Sequence, residues 1–197
     1  MLYRYIIPGK DGSLEPGSRL LNFAWYQALS ETSPTFREAM TDANGKTHRT
    51  TLPIGKMAPK VWAAQKEFGK RILPDPIYEV VEKIEQPFIT ACYSTLPIRA
   101  SFLDGQLLLV GDALSQFTPN AGASTNQGAR NALGLMQVLR GELSLEKWEK
   151  QQLSYAHVTR LFALSWGSGY LSSYPVWWYR VARHRLAVTM DRYWSLY

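Results

Sequence analysis

The feature that most constrains this chain is a continuous apolar run, Leu107-Leu108-Leu109-Val110, that stops abruptly at Gly111-Asp112. It follows the tight-turn pair Asp104-Gly105. Four adjacent apolar residues between turn signals predict a short strand covered on both faces. A loop of small and polar residues follows through Ser124, and a helix is predicted from about Thr125 to Leu139, stopping near Gly141. Ligands of α/β folds sit beyond the carboxyl ends of strands. There, Asp112 can accept hydrogen bonds from sugar-like hydroxyls, and Gly122, Ala123 and Ser124 let a planar group approach the backbone closely. The helix start at Thr125 and Asn126 offers free N–H groups and a positive dipole end. Taken alone, a Gly-Asp pair also fits an ordinary strand–loop–helix turn.

The remaining sequence divides by its punctuation. Leu2 to Ile7 predicts a strand ending at Pro8-Gly9, and Leu20 to Leu29 another. Asn44-Gly45 predicts a hairpin between Phe36–Thr41 and Thr47–Leu52, because both central residues of such a turn accept positive φ. Pro59 opens a predicted helix to about Lys70, and Leu73-Pro74-Asp75-Pro76 interrupts it. Ile77, Val80, Val81 and Ile84 form a second helical stripe, and Phe88–Tyr93 and Ile98–Phe102 are predicted strands. Ser144 is the expected N-cap of a last long helix striped by Leu145, Trp148, Leu153, Ala156, Leu161 and Leu164. The fold class expected is α+β, with a mostly antiparallel sheet in the first part.

Composition narrows the function classes. Charged residues make up 19% of the chain against 46% hydrophobic, so a core forms and disorder is excluded. The net charge of +6 comes from scattered Lys and Arg, except for Arg180, Arg183, Arg185 and Arg192. With no zinc spacing or recognition-helix signature, nucleic acid is not an expected partner. The three histidines are dispersed, so no metal site is expected. His48 reads as solvent-exposed and His157 as structural, and Ser115 and Ser124 have no evident base partner. The lone Cys92 and the lack of a secretory signal point to a reducing, cytoplasmic setting. Leu161 to Tyr179, interrupted by Gly167, Gly169, Pro175 and serines, is a poor membrane span.

In order and spacing, Val110-Gly111-Asp112-Ala113 with Pro119, Gly122, Asn126 and Ala132 resembles the second FAD motif of the aromatic-hydroxylase flavoproteins. Tyr5 to Ser13, Pro16 to Asn22 and Trp25-Tyr26 resemble the substrate-domain sheet of their 2,6-dihydroxypyridine 3-monooxygenase-like branch. Leu52-Pro53, Gly55-Lys56-Met57 and Gln86-Pro87-Phe88 fit the same branch. The resemblance runs from about Leu2 to Tyr174. It implies hydroxylation of an aromatic or heteroaromatic small molecule, with FAD as cofactor, NAD(P)H as reductant and O2 as oxygen source. The FAD-binding residues it implies are Gly111, Asp112, Pro119, Gly122, Ala123, Ser124 and Asn126. Trp25, Tyr26 and Asn120 are the candidate substrate-pocket residues, and no catalytic residue is assigned.

The division implied is a substrate-binding part over 1–102, the C-terminal part of a FAD-binding domain over 103–175, and an aromatic, basic tail over 176–197. The family's Gly-x-Gly-x-x-Gly does not occur in the 197 residues. A C-terminal half is therefore expected, its N-terminal Rossmann half missing, with weak or absent FAD binding by the chain alone. The alternatives are a non-catalytic truncated paralogue, or a binding module that pairs with a separate N-terminal FAD-binding half; a homo-oligomer is the other partner expectation. Where the branch has Arg-Pro-His and Asp-Ala, this chain has Thr118-Pro119-Asn120 and Asn131-Ala132. The tail is expected to dock on a surface. Its own domain comes first, then a partner subunit, then a membrane surface.

Overall fold

The computed structural model describes residues 1–194, with side chains to Asp191. The tail's Arg192, Tyr193 and Trp194 side chains, and residues 195–197, lie outside the described part. The fold is α+β, with three two-stranded antiparallel sheets and six α-helices among the described residues. Two compact units result: Leu29–Cys92, and Met1–Ala28 together with Tyr93–Tyr197.

In the larger unit, β1 (Leu2–Ile7) pairs with β2 (Leu20–Trp25) in a register that sets Leu2 against Trp25 and Ile7 against Leu20. The second strand stops at Trp25, short of the expected Leu29. In the smaller unit, the stretch expected as the first hairpin strand is instead mostly α1 (Pro34–Ala39). Ser33 Oγ accepts the Phe36 N–H at 3.1 Å and Pro34 occupies the first turn, so an N-terminal helix signal outweighs the hairpin pattern. The Asn44-Gly45 turn itself is present, closed by a bridge between Thr41 and Thr47, with Gly45 at φ +84. β3 (Thr51–Leu52) pairs with β4 (Ile89–Thr90), so the strand expected over Phe88–Tyr93 shrinks to two residues. The helices α2 (Pro59–Ile72) and α3 (Asp75–Glu82) break where the prolines stand. Ala39, Ala58 and Val61 form the core of this unit with Met57 and Ile89.

The larger unit continues with β5 (Ser101–Phe102) and β6 (Leu107–Leu108), joined by a turn in which Leu103 and Asp104 both take positive φ. The doubly covered strand expected over Leu107–Val110 is not found. β6 is two residues long, and Leu107 and Val110 are 49% and 41% exposed, because β5 is its sole partner among the described residues. Then come α4 (Ser124–Leu139), α5 (Leu145–Leu171) and α6 (Tyr174–Trp194). Ser144 caps α5 as expected, accepting the Lys147 N–H at 3.2 Å. Trp148, fully buried, centres a core with Ala100 and Leu114. A second core joins Phe117, Ala156 and Ala163. No helix among the described residues is long and apolar enough to cross a membrane.

Candidate functional site: the Gly111–Asn126 loop

Val110 leads from β6 into a single 3-10 turn, Gly111–Ala113, and a second such turn, Pro119–Ala121, precedes α4. Gly111 and Gly122 adopt φ of +57 and +61, where a side chain is strained, and a Cβ at either would meet nothing within 4 Å. Both glycines therefore present bare backbone on an open side.

A buried polar network holds the loop from behind. The Gly111 N–H donates to Asn131 Oδ1 at 2.8 Å, and Gln127 Nε2 donates to both the Gly111 and Ser115 carbonyls at 2.7 and 2.8 Å. Asn131 Nδ2 donates to Gln152 Oε1 on α5, and Trp148 Nε1 donates to the Asn131 carbonyl at 3.3 Å. Ser115, Gln127 and Asn131 are fully buried, and their side-chain polar atoms are hydrogen-bonded inside the protein except Gln127 Oε1, which meets no partner. Ser115 Oγ donates to the Thr95 carbonyl at 2.6 Å, a structural role with no base beside it.

Asp112 is exposed, and its carboxylate accepts no hydrogen bond from the described residues. It sits between anchored neighbours and faces solvent. Further along, α4 begins at Ser124 without a side-chain cap, and Gln127 is the first residue whose N–H reaches back, to Ala123. The N–H groups at Ser124, Thr125 and Asn126 are thus left for another acceptor. Pro119 and Asn126 are exposed, and Ala123 and Ser124 half-buried. All seven residues expected to touch FAD lie on this one segment.

The expected substrate-pocket residues are partly brought together. Tyr26 and Tyr3 meet edge to face, 5.8 Å between ring centroids, and the Tyr3 hydroxyl points to the Asn120 carbonyl at 3.5 Å. Tyr3, which the sequence reading did not single out, thus links Tyr26 to Asn120. In the amide orientation that satisfies both ends, Asn120 donates to Thr118 Oγ1 at 2.7 Å and accepts the Gly167 N–H at 3.0 Å. Trp25, half-buried, stands opposite Leu2 in the ribbon.

The three histidines have distinct surroundings. His48, expected to be solvent-exposed, instead donates from Nε2 to Asp42 Oδ2 at 2.9 Å, and its side chain is 16% exposed. That hydrogen bond, with those from the Lys46 and Asn44 N–H groups, holds the Asp42 carboxyl below its ordinary value against the opposing effect of burial. His157 is half-buried, and burial first, then Arg160 and Arg183, push it below the usual histidine range. His184 lies 5.6 Å from the Phe162 ring. Among the described residues no three His, Cys, Asp or Glu side chains are grouped to hold a metal ion.

A family model described as FAD binding domain-like matches residues 1–94. That match falls on the part expected to bind substrate and ends before the Gly111–Asn126 loop. The structure of 2,6-dihydroxypyridine-3-hydroxylase from Arthrobacter nicotinovorans shares the fold with a TM-score of 0.69 at 27% identity. The similarity covers 89% of this chain and 46% of that one, so the chain spans less than half the length of the hydroxylase. No curated protein matches the sequence. Matched in sequence over 1–94 and in fold over most of its length, the chain is similar to a FAD binding domain-like family and to this hydroxylase.

Proposed function

We propose that this chain provides one side of the cofactor site, and part of the substrate pocket, of a FAD-dependent monooxygenase acting on aromatic or heteroaromatic small molecules. The observation that carries this reading is the Gly111–Asn126 loop. It is fixed from behind by Gln127 and Asn131, bare at Gly111 and Gly122, and fronted by an unpartnered carboxylate and an uncapped helix start. That donor and acceptor set fits FAD. Asp112 would take hydrogen bonds from the hydroxyls of the ribityl chain or from the pyrophosphate region's sugar. The first-turn N–H groups of α4 would face an electron-rich ring edge and stabilise negative charge there. The redox chemistry of such a hydroxylation, with NAD(P)H as electron donor and O2 as oxygen source, comes from FAD when it is bound. Tyr3, Tyr26 and Trp25 would wall the substrate, and Asn120 would position the Pro119 turn by its bonds to Thr118 and Gly167.

A second feature favours joint action with a separate FAD-binding half. Tyr5, Ile6, Leu20 and Leu21 on the β1–β2 ribbon are all at least 40% exposed, a surface suited to cover by another polypeptide. The 197 residues contain no Gly-x-Gly-x-x-Gly to grip a pyrophosphate. The chain alone is therefore expected to bind FAD only weakly, with an affinity no tighter than about 1 μM. Flavin fluorescence titration measures this. Asp112→Ala should weaken binding about tenfold in the chain alone and in a mixture with a supplied dinucleotide-binding half, since a charged acceptor contributes roughly 1.5–3 kcal/mol. Equal affinities of mutant and wild type in both settings sink the assignment of the loop.

A further inference from the structure

From Gln151 to Met190 the sequence contains no Asp or Glu, yet Arg160, Arg180, Arg183 and Arg185 fall within it. This stretch comprises most of α5, the turn at Ser172 and Ser173, and most of α6. The inner face of the hairpin is occupied: Trp177 packs over Gly169, and Arg180 donates to Ser168 Oγ. The outer face is aromatic. On α5, Phe162, Trp166 and Tyr170 follow one another a turn apart, each ring centroid 6.2 Å from the next. On α6, Tyr174 stands 6.0 Å from Trp178. Tyr170, Tyr174 and Trp178 are 61%, 68% and 48% exposed, clustered around the turn. Arg183 lies over the Tyr179 ring at 5.7 Å, and Arg185 is exposed.

We propose that this arginine-flanked aromatic end of the α5–α6 hairpin docks peripherally on the surface of an anionic phospholipid bilayer. Tyr and Trp rings favour the headgroup level, where the ring is apolar and the hydroxyl or indole N–H stays wet. Arginines beside them are drawn to anionic headgroups. Val176 and Tyr179 add exposed apolar surface in the first turns of α6. Charge complementarity selects the occupant. A second copy would bring an equally acid-free, arginine-bearing surface against this one and be repelled, whereas an anionic lipid surface neutralises it.

The test is co-sedimentation of the whole 197-residue chain with phosphatidylcholine vesicles and with vesicles containing about one-third phosphatidylglycerol. Partition into the anionic vesicles is expected to be at least about tenfold stronger at low salt and to weaken as NaCl is added. Brominated phosphatidylcholine in the anionic vesicles should quench tryptophan fluorescence, less so in Trp178→Ala. The pair Arg183→Glu and Arg185→Glu should lower partition about tenfold or more, while Lys70→Glu with Arg71→Glu on α2, the same charge change, leaves it within about twofold. Circular dichroism confirms that each variant keeps the parental helix content. The proposal is overturned by equal partition into both vesicle types, by absent quenching, or by equal loss in the two charge-reversal pairs, which signals diffuse attraction of a basic protein. A doubled mass by light scattering without vesicle binding, or retention by an acidic protein alone, overturns it as well.

Discussion

At the scale of single residues, the polar side chains divide into those bonded inside the protein and those that face solvent. Asn131 shows the first kind. Its amide accepts from Gly111 and donates to Gln152 with no exposure to solvent, so Asn131→Leu strands the Gly111 N–H and the Gln152 oxygen. Leaving buried partners unmade costs about 1–3 kcal/mol each, and a loss of at least about 2 kcal/mol in urea unfolding is expected. Asn131→Asp should lose less. A carboxylate still accepts from Gly111, and the Gln152 amide can turn its NH2 toward it. The same reasoning explains how Asn131-Ala132 can stand where the sequence resemblance leads one to expect Asp-Ala. Asp42 is the other residue with a clear sign. Its folded pKa is depressed, chiefly by His48, so its contribution is present above the unfolded carboxyl value of about 3.9 and is lost as pH falls through the lower folded value. Thermal melts from roughly pH 6 down to pH 2 should show a steeper acid loss in the parent than in Asp42→Asn. Parallel acid profiles would show that the pair contributes nothing. The exposure of Asp112, by contrast, was legible from sequence, because its position after a strand end exposes it whatever the strand's length.

Among the elements, the helices were the legible part, and for local reasons. Ser144 with Lys147, Pro59, and the prolines at 74 and 76 act within one turn of themselves, so α2, α3 and α5 start where the sequence places them. The strands were less legible because pairing is set by distant partners. Leu107 to Val110 carries the apolar run of a covered strand, yet with β5 alone beside it the ladder lasts two residues. Phe36 to Thr41 was misread because the Asn44-Gly45 turn drew attention from Ser33-Pro34, the nearer and stronger signal. The contacts of Tyr3 were missed for another reason: they depend on the β1–β2 register, which carries its ring to Tyr26 and its hydroxyl toward Asn120. At this scale Gly134 is a test of close helix packing. A Cβ there would lie 2.7 Å from Trp148 Cδ1, so Gly134→Ala forces the buried indole to shift and should cost about 1–3 kcal/mol despite the higher helix propensity of alanine. An unchanged urea midpoint would mean that α4 and α5 separate freely.

For the molecule as a whole, the terminal helix behaves as the first of the expected surfaces predicts: α6 lies on α5 of its own unit. Trp177, Val181 and Val188 are half-buried, and Asp191 accepts from Ser154 Oγ. Deleting residues 174–197 should therefore lower stability by about 2–4 kcal/mol, taking for each of these three half-buried side chains about half of the roughly 1.5–3 kcal/mol of full burial. Urea unfolding of the truncated chain measures this, and an unaltered midpoint would show that α6 adds nothing to its own unit. The helix beneath it has a further consequence. Glu149 Oε1 accepts the N–H groups of both Ala100 and Ser101 at 2.6 and 2.7 Å, while Gln152, three residues on, holds Asn131 and through it Gly111. One turn of α5 thus ties the residues entering β5 and the residue leaving β6. In deuterium exchange the amides of Ala100, Ser101 and Gly111 should open together, in a single cooperative event, rather than fraying one by one from the short hairpin between them.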